Sequence, residues 1–309
     1  MKKIYDEKGK RLLFGGIYVI TLENEELLVE ISPKGAELQK IYNKKEGFDY
    51  LWNGNPEYWG SHAPNLFPII GRLNEYKYKK DDAVYELPQH GFAKDMDFEA
   101  HKESDAKATF TLKNNAQSAE MYPYEFTLAI EYTLIGALVS VSYKVENHSE
   151  ERMPFSIGGH PAFNVPMNGA GSYEDYTLTI NPKEEVKYFE SNPLPYRSGN
   201  RKVLQAMKDG VMKLDHETFR DGLIIIDEPK LDSITLTGPE KHGVTVNVSD
   251  FPYLCLWTKE QMDAPFICIE PFFGLPDIAG EIGTLEEKDG IILLEAGDTK
   301  QLSFTIDLF

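Results

Sequence analysis

The sequence lacks the features of a membrane-spanning or exported protein. Its 309 residues contain no run of about 18 apolar residues, so no transmembrane helix is predicted. The opening stretch, MKKIYDEKGKRLLFGG, begins with two lysines but has neither the apolar segment nor the small-residue cleavage site of a signal peptide. We therefore expect a cytoplasmic protein with no membrane partner.

Cysteine is also scarce, which excludes a disulfide framework. The two cysteines, Cys255 and Cys268, lie in the apolar segments YLCLW and FICIE. Their surroundings predict buried free thiols, as a reducing compartment would allow. Because no Cys-x-x-Cys or Cys/His zinc spacing is present, we expect no metal site of that type.

Basic residues are also fewer than acidic ones. Against 32 Lys and Arg stand 50 Asp and Glu, a formal net charge of -18. A nucleic-acid partner would need a basic face, so none is expected. A neutral ligand would not be repelled by this charge.

Helical periodicity is rare, and a period of two replaces it. Apolar residues alternate with polar ones over residues 126–134 and 139–145, which predicts an antiparallel hairpin around Gly136. The same pattern recurs near Ile234, from Val244 and at the C-terminus, while a short turn around Met212–Phe219 is the best helical candidate. We predict an all-β fold with few short helices, forming a single domain over residues 1–309.

Two segments are apolar on both faces, GLIIID near Ile224 and FICIE near Ile267, and are predicted to be central strands. Glu270 ends the second segment, where a carboxylate is costly unless it is paired or functional. Pro271 cannot donate a ladder hydrogen bond, so we expect the strand to end there and Glu270 to lie at a rim. An edge glutamate paired with an arginine is the structural alternative.

Three other segments interrupt the strand pattern with a polar residue beside Gly or Pro. Arg72 follows Gly71 in SHAPNLFPIIGRL, His90 lies in LPQHGFAKDMDFE, and His160 lies in SIGGHPAFNVP. We interpret the two glycines before His160, with Pro161, as a turn that aims the imidazole. Each residue alone is more often structural than functional, and only the set of four favours a site.

Aromatic residues near these interruptions point to a sugar. Aromatic faces stack on the C–H faces of sugars, whose hydroxyl groups need polar partners. The alternative is that these rings fill a β-sandwich core. The residues concerned are Trp52, Trp59, Phe92, Phe163, Trp257, Phe272 and Phe273.

The four motifs together resemble the aldose 1-epimerase (galactose mutarotase) family. They are GGHPAFN with His160, QHGFA with His90, P-x-x-G-R-L with Arg72, and IEPFFG with Glu270, in the family's order over nearly the whole chain. The resemblance implies a large antiparallel β-sandwich of the galactose mutarotase type, or supersandwich. It also implies a small-molecule aldohexose substrate, no cofactor and no metal. We expect a monomer or a homodimer.

The resemblance assigns roles to these residues. His160 matches the family's general acid and Glu270 its general base, and Arg72 and His90 match residues that hold and polarise the sugar. The base removes the proton of the anomeric hydroxyl while the acid protonates the ring oxygen, and the opened aldehyde rotates and closes on its other face. We expect the two groups on opposite sides of the sugar, with Glu270 favouring the charged form of His160.

Two substrate-binding positions follow from the same resemblance. The family's sugar-binding aspartate is best matched by Asp221 in FRDGLI, with Asp227 as a weaker candidate. Lys94 stands where relatives that act on hexose 6-phosphates tend to carry a basic residue. An unphosphorylated aldose such as galactose or glucose is preferred, and a phosphorylated sugar stays open.

Three alternatives compete with a mutarotase. Two histidines and a glutamate are also the components of an iron site, although His90 and His160 lack tight spacing. A sugar-binding module could keep the pocket without turnover. A hydrolase or another isomerase could use the same fold.

Overall fold

The computed structural model describes residues 18–309 in full and, before them, only the backbone of Ile4–Tyr5 and Arg11–Leu12. The opening stretch, for which no signal peptide is predicted, otherwise lies outside the described residues. Among the described residues, no helix is long and apolar enough to cross a membrane.

Strands dominate the described chain, as the period of two predicts. Their bounds are β1 Ile4–Tyr5, β2 Arg11–Leu12, β3 Tyr18–Glu23, β4 Leu27–Ser32, β5 Glu37–Asn43, β6 Phe48–Asp49, β7 Asn65–Leu66, β8 Lys77–Lys80, β9 Ala83–Glu86, β10 Glu99–Ser104, β11 Lys107–Lys113, β12 Phe126–Ile135, β13 Leu138–Asn147, β14 Met153–Phe155, β15 Ile157–Gly159, β16 Ala162–Asn164, β17 Thr177–Asn181, β18 Lys187–Phe189, β19 Arg201–Val203, β20 Val211–Lys213, β21 Ile224–Glu228, β22 Ser233–Thr237, β23 Gly243–Asn247, β24 Tyr253–Trp257, β25 Phe266–Phe273, β26 Ile292–Leu294 and β27 Thr299–Leu308.

Helices are few and short. The α-helix α1 spans Ala116–Met121 and was not predicted; Asn115 caps it by accepting from the Ser118 backbone N–H in a reciprocal capping box. Short 3₁₀ turns occur at Asn74–Tyr76, Ala93–Asp95, Met167–Gly169, Tyr173–Asp175 and His216–Phe219. The last of these falls inside the predicted turn around Met212–Phe219, whose first residues instead belong to β20.

Three larger antiparallel sheets form the body of the fold. A six-stranded sheet runs β1 to β6 in order, and a nine-stranded sheet has the order β10-β11-β12-β13-β27-β23-β22-β17-β20. The eight-stranded sheet has the order β19-β18-β21-β24-β25-β15-β7, with β16 also paired to β25. The predicted hairpin is β12–β13, so the all-β prediction is confirmed.

The predicted central strands occupy central positions. β21 lies between β18 and β24, and β25 lies between β24 and the pair β15 and β16. Seven of the eight residues of β25 are buried, as expected of a central strand. Both cysteines are buried free thiols, as predicted.

The eight-stranded sheet packs directly on the nine-stranded one. The Tyr143 hydroxyl of β13 donates to Asn65 Oδ1 of β7 at 2.7 Å, and a Cβ on Gly159 of β15 would lie 2.8 Å from the Phe304 ring of β27. This close contact holds one face of β15 and β25 in the core and leaves the other face for the site.

Candidate active site

A cleft of about 780 Å³ opens on the outer face of the eight-stranded sheet. It gathers the residues that interrupt the strand pattern from four distant parts of the chain. Its lining is Trp59, Ser61, Pro64, Gly71, Arg72, Pro88, Gln89, His90, Lys94, His160, Leu194, Pro195, Leu223, Cys255, Trp257, Lys259, Glu260, Glu270, Phe272 and Pro276.

The two glycines before His160 are strand residues, which corrects the turn interpretation. Both belong to β15, and neither has a positive φ. A Cβ on Gly158 would lie 2.5 Å from the Pro271 carbonyl oxygen, and one on Gly159 would press on Phe304. Glycine is therefore required by the close approach of a neighbouring strand and of the opposite sheet.

Glu270 lies inside its strand rather than at the end, which corrects the second local prediction. β25 continues through Pro271 to Phe273, and its residues from Cys268 to Phe272 pair with β24. The Ile269 N–H donates to the Pro161 carbonyl. Strand residues two apart direct their backbone N–H groups to the same neighbouring strand, so the N–H that Pro271 lacks would point to the same side as that of Ile269. That side carries the gap between β15 and β16, so the strand tolerates the proline.

The same gap places His160 beside Glu270. β15 and β16 pair with β25 in one continuous register, Gly158 opposite Phe272 and Ala162 opposite Cys268. His160 is therefore opposite Glu270, and its Nε2 lies 3.3 Å from Glu270 Oε2. Both residues are buried. The two groups lie side by side, which differs from the expectation that they would lie on opposite sides of the sugar.

Burial controls the protonation of this pair. It lowers the pKa of His160 well below its usual range, and the electrostatic interaction with the neighbouring His90 is a smaller cause in the same direction. It raises the pKa of Glu270 well above its usual range, opposed by a hydrogen bond from the Cys255 thiol. The shift of His160 is opposite to the expectation that Glu270 would favour its charged form. When both groups are protonated the buried pair carries a net positive charge, and when neither is protonated it carries a net negative charge. Both states are costly in the interior, so the pair holds one titratable proton.

His90 has a fixed tautomer. The Gly71 backbone N–H donates to its Nδ1 at 3.2 Å, so Nε2 carries the proton, and the Gln89 amide nitrogen 3.4 Å from Nε2 then makes no hydrogen bond to it. Burial, with the charges of Lys94 and Arg72, lowers the pKa of His90 to about 3. The residue has a φ of 66°, an uncommon conformation that recurs at functional sites. A neutral ring with one N–H is thereby set up as a hydrogen-bond donor.

Arg72 reaches the cleft from the segment after β7. Its Nη2 donates to Gln89 Oε1 at 2.9 Å, and its guanidinium lies 4.7 Å from the centre of the Tyr76 ring. Its Nε is buried without a hydrogen-bond partner, and no carboxylate pairs with it among the described residues. The guanidinium is thus positioned but not neutralised.

Two lysines lie on the cleft lining with Arg72. Lys94, which was predicted, forms an ion pair with Asp95, and Lys259, which was not, lies 3.6 Å from Glu260. Glu260 also accepts from the Trp257 indole N–H at 2.8 Å. This rim is therefore polar and carries both signs of charge.

Neither aspartate candidate lines the cleft. Asp221 is exposed, and Leu223, two residues later, occupies the cleft wall instead. Asp227 pairs with Arg201 Nε at 2.6 Å, outside the lining. Asp221 lies in a turn before β21, so strand alternation does not place its side chain.

Aromatic rings frame the acid–base pair. The Trp59 ring stacks on His160 with centroids 4.8 Å apart, and Trp257 meets the same imidazole edge-on at 5.7 Å. Phe272 lies in the floor. Of the seven aromatics selected from the sequence, Trp52, Phe92 and Phe163 are buried core residues, as the alternative held.

Gln89, Lys259 and Glu260 were not predicted as site residues, yet they line the cleft. Gln89 adjoins His90 in the QHGFA motif and could have been found there. Lys259 and Glu260 follow β24 in a polar segment that looks like any surface loop, so the sequence carried no comparable signal for them.

The arrangement does not support the alternative of an iron site built from two histidines and a glutamate. The group of His, Cys, Asp or Glu residues close enough to hold a metal ion, among those described, is His160, Cys268 and Glu270, without His90. The pair of His160 and Glu270, with a neutral His90 donor and the Arg72 guanidinium nearby, instead suits proton transfer to and from a polar neutral ligand.

Comparison with known proteins agrees with this geometry. The family model for aldose 1-epimerase matches residues 18–304. The chain is 34% identical to the chromosomal protein LacX of Lactococcus lactis subsp. lactis, over 94% of this chain and 99% of that one.

Solved structures of galactose mutarotase-like proteins are also similar to this chain. A galactose mutarotase-like protein from Lactobacillus casei ATCC 334 is 39% identical with a TM-score of 0.90, covering 94% of this chain and 100% of that one. A galactose mutarotase related enzyme from Lactobacillus acidophilus is 32% identical with a TM-score of 0.89, covering 94% and 97%. This chain belongs to the aldose 1-epimerase family.

Proposed function

We propose that the protein is a mutarotase that interconverts the α and β anomers of an aldohexose such as galactose or glucose. The observation that carries the proposal is the buried pair of His160 and Glu270, whose reactive atoms lie 3.3 Å apart in a cleft. Simple sugar binding does not require an acid beside a base.

The spacing of the pair suits the anomeric centre. The hydroxyl oxygen and the ring oxygen of an aldose are both bonded to C1, so the groups that serve them should be neighbours. In the form of the pair that has its proton on His160, Glu270 takes the hydroxyl proton as His160 gives one to the ring oxygen, and the bond between C1 and the ring oxygen breaks to give the open aldehyde. After rotation about C1–C2, the reverse transfers close the ring. One proton in the pair suffices for the cycle.

The surrounding groups support the reaction. The Nε2–H of His90 and the Arg72 guanidinium can donate to sugar oxygens without taking their protons, because the pKa of His90 is far below neutral. Trp59 fixes the His160 ring by stacking, and the aromatic walls offer surface for the C–H face of a sugar. No metal or cofactor is required by this sequence of proton transfers.

The test is anomerisation of freshly dissolved α-galactose and α-glucose, followed by polarimetry or NMR. We expect His160→Ala and Glu270→Gln each to lower kcat by about 10²–10⁴-fold. His101→Ala, at an exposed strand residue, is the matched control and should keep full activity. Full activity in either folded cleft variant would refute the assignment, and sugar binding with no faster anomerisation in the native protein would favour a binding module.

A phosphorylated aldohexose is the second candidate substrate. Arg72, Lys94 and Lys259 place three basic side chains on the lining, and Arg72 has no carboxylate partner among the residues described. The same assay on glucose and galactose 6-phosphates separates the two substrates. If the phosphate is recognised, Lys94→Gln should raise KM for the 6-phosphate and leave KM for the free sugar unchanged.

A further inference from the structure

Three side chains that commonly bind zinc converge beneath the cleft. His160, Cys268 and Glu270 each offer one ligand atom, and these atoms all lie within 4.8 Å of one another. All three residues are buried. Imidazole, thiolate and carboxylate are the usual zinc donors.

The backbone holds these donors rigidly. Cys268 and Glu270 are two residues apart on β25 and so face the same side of the sheet. His160 is opposite Glu270 across the gap between β15 and β16. The grouping is therefore set by strand register rather than by flexible loops.

The donors also have unused bonding capacity. Glu270 Oε1 and His160 Nδ1 are buried without a hydrogen-bond partner. Buried polar atoms are rarely left in this way, and a bound ion or ligand is a usual explanation. The acid–base reaction accounts for Nε2 and Oε2 but leaves these two atoms unexplained.

Charge favours a divalent ion. With the thiol and the carboxyl deprotonated, Cys268 and Glu270 would supply two negative charges and a neutral imidazole would complete the set, so a divalent cation would give a site with no net charge. A buried site without net charge avoids most of the penalty of burying an ion. The soft thiolate favours zinc or cobalt over magnesium or calcium.

We propose that His160, Cys268 and Glu270 form a binding site for a zinc-type divalent cation that blocks the acid–base pair when it is occupied. The cation is an inhibitor here and takes no part in catalysis. Binding stands independently of the proposed mutarotase function, whereas the inhibition rests on that function.

Cobalt is the direct probe, since a thiolate bound to Co²⁺ gives an intense near-ultraviolet charge-transfer band. The chain has two cysteines, so two variants assign the ligand. We expect the band when Co²⁺ is added to the native protein and to Cys255→Ala, and no band with Cys268→Ala. Even if Cys268→Ala failed to fold, the band in Cys255→Ala would identify Cys268, the thiol that remains.

Zinc inhibition is the functional readout. Each protein's anomerisation rate with Zn²⁺ is divided by its own rate in metal-free buffer, and EDTA should reverse the loss. Removal of a ligand in Cys268→Ala should raise the half-inhibiting Zn²⁺ concentration at least about tenfold.

Two results would overturn the proposal: no charge-transfer band in the native protein, or a band that is lost in Cys255→Ala and kept in Cys268→Ala. If anomerisation is absent in metal-free buffer, the proposed function fails while the cobalt band still decides the metal site.

Discussion

Gly159 supports the candidate site through its packing and takes no part in the proposed chemistry. It lies directly before His160 in β15, where the eight-stranded sheet touches the nine-stranded sheet. A Cβ there would come within 2.8 Å of two Phe304 ring atoms and 3.1 Å of the Tyr143 hydroxyl. Because both rings are buried, neither can move away freely.

Gly159→Ala should therefore destabilise the protein by about 1–3 kcal/mol, through overpacking. It should also lower activity, since any shift of β15 moves His160. Denaturant unfolding measures the first effect and the anomerisation assay the second. Gly283→Ala is the control, because a Cβ at Gly283 meets nothing within 4 Å. Equal unfolding midpoints for the two variants would contradict the steric explanation.

Individual residues also show which structural features could not be predicted from the sequence. Arg72, His90, His160 and Glu270 together were recognisable as a candidate site, but the reason for the two glycines before His160 was not. A turn and a tightly packed strand both select glycine, and only the partner, here Phe304, distinguishes them. Asp221 illustrates the same limit, because it lies in a turn before β21 whose course the sequence pattern does not give, and Leu223 lines the cleft instead.

At the level of elements, the segment after β25 is tied to Arg72 by a network that the sequence did not reveal. The Asp277 backbone N–H donates to the Arg72 carbonyl at 3.1 Å, and Asp277 Oδ2 accepts from the Asn74 backbone N–H at 2.8 Å. The other carboxylate oxygen pairs with the buried Lys288. Ion pairs between loops leave no periodic signal, whereas the strands around them do.

Asp277→Ala should lower the free energy of unfolding by about 3–5 kcal/mol, because it leaves the Lys288 ammonium buried and unpaired. Adding Lys288→Met should restore part of that loss, since the ammonium left unpaired by the first substitution is then removed. Urea unfolding of the single and double variants gives the comparison. Glu295→Ala, which breaks an exposed pair with Arg152, should change stability by no more than about 1 kcal/mol. A double variant less stable than Asp277→Ala would refute the argument.

Strand register is what turns local patterns into a site. The period of two predicted the hairpin and the central strands because alternation and burial are local properties. The position of His160 opposite Glu270 depends on pairing between strands more than 100 residues apart. That pairing was accessible only through the resemblance of the motifs to a known family.

Across the whole molecule, placing His90 in the cleft links stability to pH. The folded pKa of His90 is about 3, below the ordinary value of 6.5, with burial as the main cause and Lys94 and Arg72 adding to it. The unfolded chain binds a proton near pH 6.5 and the folded chain does not. The contribution of His90 to stability is therefore complete above pH 6.5 and is lost as the pH falls toward 3.

His90→Gln should remove that part of the acid sensitivity. Native and variant proteins are unfolded in denaturant at intervals from pH 7 to pH 4, and the difference between their free energies should change by at most about 1.4 kcal/mol per pH unit. Part of the ring is open to the cleft, which keeps the slope below this limit. Taking the difference cancels the titration of groups that the two proteins share, and the neighbouring pair of His160 and Glu270 is kept in both. The same substitution at the exposed His101 is the control. A difference that stays constant from pH 7 to pH 4 would show that His90 is protonated in the folded protein as readily as in the unfolded chain, and it would then no longer be a neutral donor to the sugar.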